Sequence, residues 1–254
     1  MSLRRRLGSA MEFVGGIAVV LLQALRATLR RSLDVEQLRE GLIRLGLHSL
    51  PVVFGTALFV GGIMVIQSAP LMTRYGAHSL LGWGAGFGIL REIGPILTGL
   101  MISGRVGSNN TAELGTLQVT EQINGLRALA IDPADYLVAP RVLSILVTTV
   151  VGTLLSMAVA LVGAALTGQA LLGVHPITFW NGLTGGMLSW GDVAHGMVKA
   201  FVFGLVIAGT STAYGLRAKG GAPGVGRAVN ESVVLSAVAI FVTDALISFA
   251  SRGN

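Results

Sequence analysis

The sequence predicts an all-α membrane protein: an N-terminal interfacial helix, five transmembrane helices, and a non-spanning amphipathic helix in a cytoplasmic loop. Three observations carry this reading. Of 254 residues, 52% are hydrophobic and 12% charged, about half the roughly 25% charge of an ordinary soluble domain. Five apolar runs come near or exceed the roughly 20 residues a bilayer requires. Glycine, at 36 residues, is about twice its usual share of roughly 7%, and small residues let helices approach closely in lipid, where apolar burial drives no association between them.

The first apolar run, Phe13 to Leu25, follows Arg4, Arg5 and Arg6 and precedes Arg26, Arg30 and Arg31. At about 13 residues it is too short to span, and with Glu12 at its edge and basic residues on both sides it reads as a helix in the membrane plane, not a secretory signal. Asp34 to Leu47 places Val35, Leu38, Leu42 and Leu45 on one helical face and predicts a surface helix or elbow. The spans follow at Leu50 to Pro70, Gly82 to Gly104, Tyr136 to Leu166, Ala194 to Leu216 and Ser232 to Phe249. Residues 1–49 thus form an interfacial helix and elbow, and 50–254 the membrane domain. The third span is long enough to need tilt or an extension beyond the bilayer, and Pro140 predicts a bend or the point of entry.

Five spans put the termini on opposite sides. With the N-terminus cytoplasmic, 14 of the 18 lysines and arginines fall inside, Arg74 and Arg252 outside, and Arg91 and Lys199 within spans, which sets the orientation by the positive-inside rule. The net charge of +6 lies beside apolar spans, the pattern of a protein seated against anionic lipid, not nucleic acid. With no cysteine, disulfides and thiolate-bound metals are excluded.

Arg91-Glu92-Ile93-Gly94-Pro95 sets opposite charges side by side within an apolar stretch, and Pro95 leaves a backbone carbonyl without its helical donor. Ionisable groups at membrane depth cost roughly 2.5 to 3.5 kcal/mol each and face a cavity or a partner by default. The alternative, an interfacial pair that only ends a span, stays open, as does snorkelling of Lys199 towards the surface against a headgroup-binding role. Thr111 to Ala130 carries Leu114, Leu117, Ile123, Leu126 and Leu129 at helical spacing, with Glu113, Glu121, Gln122 and Arg127 on other faces. That pattern suits a helix that meets another protein or an ordinary cytoplasmic surface helix. Asp132-Pro133-Ala134-Asp135 then supplies an N-cap, a proline at the first helical position and an acidic first turn.

Gly221 to Arg227 spaces its glycines like a phosphate loop, but Arg227 and Ala228 stand where lysine and a hydroxyl are needed, and no strand precedes it. A flexible cytoplasmic turn is the expectation, with nucleotide hydrolysis on another polypeptide. His48, His78, His175 and His195 show no ligand spacing, and no nucleophile and base stand together, so neither metal nor hydrolytic chemistry is expected.

Arg91-Glu-Ile-Gly-Pro95, Gly104-Arg-Val-Gly107, Ala112-Glu-Leu-Gly115, Val119-Thr-Glu-Gln122, Ile131-Asp-Pro133 and Pro140-Arg141, in this order, resemble the MlaE permease family, and Gly226-Arg-Ala228 fits it too. Its members are membrane subunits of ABC transporters that move phospholipid between bacterial membranes, with plastid relatives. The resemblance, from about Leu50 to the end, implies a homodimer in the bacterial inner membrane, N-terminus cytoplasmic and C-terminus periplasmic. It would be bound by a cytoplasmic ABC ATPase, a periplasmic MCE-domain protein and, in some members, a STAS-domain subunit. It implies no cofactor on this chain, with ATP and Mg on the ATPase, and no catalytic residue. Tyr75, Arg91, Glu92 and Lys199 match positions around the family's lipid pocket, where cations can hold a phosphate. The segment about 111–130 matches the coupling helix that seats in the ATPase, with Glu113, Leu117, Glu121 and Leu126 its contact residues. Glu231 departs from the basic residue expected there. Two other readings remain: a secondary transporter, which needs a midplane ion site or broken repeats, neither evident, and a scaffold that anchors an ATPase complex without moving lipid.

Overall fold

The computed structural model describes residues 3–29 and 35–251, the side chains of 3–14 and of His78 excepted. Readings that fall on Arg4, Arg5, Arg6, Glu12, Arg30, Arg31, Asp34 and Arg252 lie outside that description. Among the described residues the regular elements are all helical: α1 (Leu3–Leu29), α2 (Val35–Gly41), α3 (Leu50–Arg74), α4 (Leu81–Val119), α5 (Gln122–Ala128), α6 (Ala134–Leu172), α7 (Pro176–Thr184), α8 (Trp190–Leu216) and α9 (Gly221–Ala250). Five helical runs, Val35–Arg74, α4, α6, α8 and α9, are long and apolar enough to cross a membrane, while the apolar part of α1, Gly15–Leu29, is shorter. In a bilayer only such closed backbone ladders keep every N–H and C=O satisfied. The fold is the all-α membrane protein that the sequence predicts.

The helices outrun the spans. α4 continues past Gly104 to Val119 through two π-helical turns, Ile89–Ile93 and Ser103–Gly107. The amphipathic stretch expected as one helix is therefore two: its first half closes α4, Thr120 and Glu121 make a bend, and α5 carries the rest. The glycine-rich stretch from Gly221 is not a turn but the start of α9. Pro223 sits in the first helical turn, where its missing N–H would have had no partner. The elbow also departs from its simple periodicity, because a π turn at Leu42–Gly46 shifts the register: Leu45 is buried, whereas Val35 is exposed.

Two prolines follow π turns. Gly94 N–H reaches back to Ile89 O just before Pro95, and Ala139 N–H to Ala134 O just before Pro140. Each wide turn takes up the ladder position that proline cannot fill. Asp132 caps the start of α6 as predicted, its Oδ1 accepting from Ala134 N at 2.9 Å.

The chain forms two compact units. The first comprises Ser49–Met101, Thr149–Val202 and Thr243–Asn254. Its core is Val65, Leu81, Ala85, Ile89, Met157, Ala160, Ala164, Phe179 and Leu183. Here α3 and α6 touch backbone to backbone: a Cβ on Gly61 would strike the Ala160 carbonyl, and one on Gly163 the Leu58 carbonyl. The second unit comprises Met1–His48, Ile102–Thr148 and Phe203–Val242. In it α1 buries Val20, Ala24 and Ala27 and exposes Leu22, Leu25 and Leu29. Buried hydroxyls and an amide join its helices: Asn110 Nδ2 donates to Ser211 Oγ at 2.8 Å, Thr111 Oγ1 to Ser232 Oγ at 3.1 Å, and Thr210 meets Ser236 at 2.5 Å. Such bonds contribute about 0.6 kcal/mol each in membranes and fix which helix faces which.

Candidate functional site

In the first unit, the π turn of α4 presents Arg91 and Glu92 in different directions. Neighbours at i and i+1 on a helix do not face each other, so the adjacent charges do not pair. Arg91 Nη1 instead donates to Asp192 Oδ1 at 3.1 Å, and its guanidinium stands 5.5 Å from the Phe87 ring centroid. Asp192 is itself fixed, its Oδ2 accepting from Ser189 N at 2.9 Å and Ser189 Oγ at 3.2 Å in the first turn of α8.

Glu92 turns to Lys199. The ammonium is wholly buried and donates to Glu92 Oε2 at 2.5 Å and to Ser248 Oγ at 2.8 Å. Asp244 Oδ1 approaches it at 2.8 Å, close enough for an ion pair but not aligned as a hydrogen bond. Snorkelling of Lys199 is thereby excluded in this conformation. Three helices contribute, with Asp192, His195 and Lys199 at helical spacing on α8 and Asp244 and Ser248 one turn apart on α9. Two cations face three carboxylates, and His195 Nε2 lies buried without a hydrogen-bond partner among the described residues. The accessible members are Arg91 and Glu92, with side chains 25% and 37% exposed. Tyr75 ends α3, exposed, and makes no hydrogen bond with this group among the described residues. Beside the π turn, Val53, Ala57, Ile93, Thr98, Ser156 and Ala160 line a cleft of about 20 Å³, room for one water.

Asp192, Asp244, Ser248 and His195 were not among the predicted site residues. Two had a signal: Ser189-Trp-Gly-Asp192 is a capping-box spacing, and Asp244 is the one charge between Ser232 and Ser251. Nothing in the sequence distinguishes Ser248 or His195.

In the second unit, the bend after α4 places Glu121 at φ 61°, a left-handed conformation unusual for a residue with a side chain. α5 ends in a Schellman motif, with Ile131 N–H on Leu126 O and Ala130 N–H on Arg127 O, both at 3.0 Å. Its left-handed position, usually glycine, is Ala130 at φ 59°. Around α5, Leu117, Ile123, Leu126, Leu129, Tyr136 and Leu137 line an open apolar groove of about 370 Å³. Glu121 is exposed and accepts from Asn124 Nδ2. Glu113 behaves differently: its carboxylate meets Arg141 at 2.7 Å and also pairs with Arg44 of the elbow, while accepting from Asn109 at 2.9 Å. Of the four predicted contact residues, Leu117 and Leu126 thus line the groove, Glu121 precedes its lining residue Gln122 in the chain, and Glu113 faces into the unit. Glu231 is exposed on α9.

Residues 38–250 match the Permease MlaE family. The chain belongs to the MlaE permease family. A probable ABC transporter permease protein of Synechocystis is 36% identical over 230 residues, covering 91% of this chain and 86% of its own. The chloroplastic protein Trigalactosyldiacylglycerol 1 of Arabidopsis thaliana is 34% identical over 229 residues, 90% of this chain and 64% of its own. The intermembrane phospholipid transport system permease protein MlaE of Haemophilus influenzae is 29% identical over 205 residues, 80% of this chain and 78% of its own. The chain is accordingly a multi-pass membrane permease, a transport subunit and not an enzyme.

Proposed function

We propose that this MlaE-family permease moves phospholipid between the bacterial inner membrane and an MCE-domain partner, driven by ATP hydrolysis on a separate cytoplasmic ABC ATPase. The observation that carries the reading is the three-helix ion network at the π turn of α4. Its accessible ends are a guanidinium, suited to a phosphate by two parallel hydrogen bonds, and a carboxylate beside it. Lys199 and Ser248 hold that carboxylate from behind, with Asp244 pairing the lysine, and Asp192 holds the arginine, so the pair is oriented before a lipid arrives. Tyr75 would join the pocket only where a second surface closes over it. The lipid cavity would form between two copies of the chain.

The groove around α5 is the reading's second support. A short helix held between two left-handed residues costs backbone strain, and such strain concentrates where a conformation serves binding. The ATPase would dock on α5, with Leu117 and Leu126 in the groove and Glu121 at the start of the helix. Glu113 would act from behind, tying the docking segment to the elbow through Arg44 and to α6 through Arg141. The N-terminus is cytoplasmic in this reading and the C-terminus periplasmic, a STAS-domain subunit is an optional further partner, and ATP and Mg reside on the ATPase.

Affinity purification of the tagged chain from its own membranes, followed by protein and lipid mass spectrometry, tests the whole. A copurifying ATPase with bound phospholipid is expected. An ATPase without lipid would favour a scaffold, and neither would favour a secondary transporter.

A further inference from the structure

Between α6 and α8 the chain does not cross directly. It turns through α7, nine residues from Pro176 to Thr184, started by His175, whose Nδ1 accepts from Ile177 N at 3.3 Å. α7 has two faces. Phe179 and Leu183, one turn apart, are buried in the core of the first unit with Leu81 and Ala85. On the other side Ile177 and Trp180 are 64% and 62% exposed, with Met187 and Trp190 exposed in the segment that follows. An apolar face of this kind on a connecting segment is costly in water, at about 25 cal/mol per Å².

The covering medium follows from charge. From Val142 to Gly191, through most of α6, all of α7 and the connection to α8, there is no Asp, Glu, Lys or Arg. A protein-binding surface ordinarily carries charged groups at its rim, and a water-facing loop carries them for solubility. Trp180 offers instead an apolar ring with one N–H, the shape that concentrates at membrane interfaces. The preceding α6 likewise exposes apolar Leu154, Val162, Leu166 and Leu171.

We propose that α7 is an interfacial anchor, seated in the boundary between headgroups and chains with Ile177 and Trp180 in lipid. Its attachment to α4 gives the seating a consequence. A Cβ on Gly82 would strike the Phe179 carbonyl, and one on Gly182 would lie 2.7 Å from Ser79 O, so the two helices meet backbone to backbone. α4 reaches Arg91 nine residues beyond Gly82, about two and a half turns, within the π turn Ile89–Ile93. A lipid-seated α7 therefore sets the depth of the Arg91 turn in the bilayer. This consequence rests on the proposed lipid site, whereas the seating itself does not.

The chain has three tryptophans, Trp83, Trp180 and Trp190, so the double variant Trp83→Phe with Trp190→Phe isolates Trp180 emission. The full chain is reconstituted in bilayers containing phospholipid brominated either near the glycerol end or near the chain terminus, and aqueous iodide is added separately. Shallow bromines should remove at least about half of Trp180 emission, chain-terminal bromines much less, and iodide little. Free quenching by iodide without quenching by bromolipid would overturn the proposal in favour of a water-facing loop. Resistance to iodide and to both bromolipids would overturn it in favour of a covering protein, a second copy or a partner. If the double variant fails to fold, the difference in quenching between the wild-type chain and Trp180→Phe gives the same readout. Lipid copurification is unaffected by these outcomes, so failure of the anchor and failure of the transport reading are separable.

Discussion

Lys199→Met removes the cation that holds Asp244 and Glu92 together. Removing one partner of a buried pair generally costs about 3 to 5 kcal/mol, because the remaining charge is left without compensation in a low-dielectric site. Here the cost divides unequally. The Glu92 side chain is 37% exposed and can take up water, whereas Asp244 is 13% exposed, so most of the penalty falls on Asp244. At about 2 to 4 °C per kcal/mol for a chain of this size, the melting temperature in lipid nanodiscs should drop by on the order of 10 °C. Asp244→Asn alone should cost less, because Lys199 keeps Glu92 and Ser248. The double variant should recover about 2 kcal/mol relative to the sum of the singles, the size expected for groups in direct contact. The assay is thermal unfolding followed by helical circular dichroism on all four proteins. An unchanged melting temperature in Lys199→Met, or a double variant that falls by the full sum, would refute the buried network.

Other expectations follow from the second unit and from topology. Ala130→Gly removes a left-handed alanine that costs about 1 to 2 kcal/mol, partly offset by the freer unfolded glycine, so amide exchange across α5 should slow; faster exchange would contradict the cap geometry. Leu117→Asp and Glu121→Lys should each reduce copurification of the ATPase without unfolding the chain, and wild-type capture by both variants would remove α5 from the docking surface. Cysteine at Ser251 should react with a membrane-impermeant maleimide applied from the periplasm and cysteine at Lys219 should not, with reversed labelling overturning the orientation.

Hydrophobic periodicity made the number and order of the spans legible, because a bilayer imposes length and apolarity on each helix separately. Their ends were less legible. Ladder continuity is indifferent to the membrane boundary, so α4 runs on to Val119 and α9 starts at Gly221, where a glycine-rich motif suggested a turn. Arg91, Glu92 and Lys199 stood out because charge in an apolar run is expensive, yet their pairing was not readable. Asp192 lies 101 residues from Arg91 and Lys199 lies 107 from Glu92, and which side of the helix each charge faces depends on a π turn that periodicity does not register. Glu113 likewise looked like a surface residue until α4 was seen to continue through it, which turns its carboxylate towards Arg44 and Arg141.

The central claim, that Arg91 holds a lipid phosphate within a prearranged ion network, is tested most directly by counting phospholipid per purified ATPase-bound complex in Arg91→Ala and Arg91→Lys, with a thermal scan of each. Asp192 remains hydrogen-bonded to Ser189 when the guanidinium is removed, so the fold should survive Arg91→Ala. The account predicts that Arg91→Ala loses bound phospholipid while the complex assembles and melts near wild type, and that Arg91→Lys, lacking the two-pronged donor, retains an intermediate amount. Unchanged lipid in Arg91→Ala, or lipid lost only together with folding, would contradict it and return the arginine to a purely structural role.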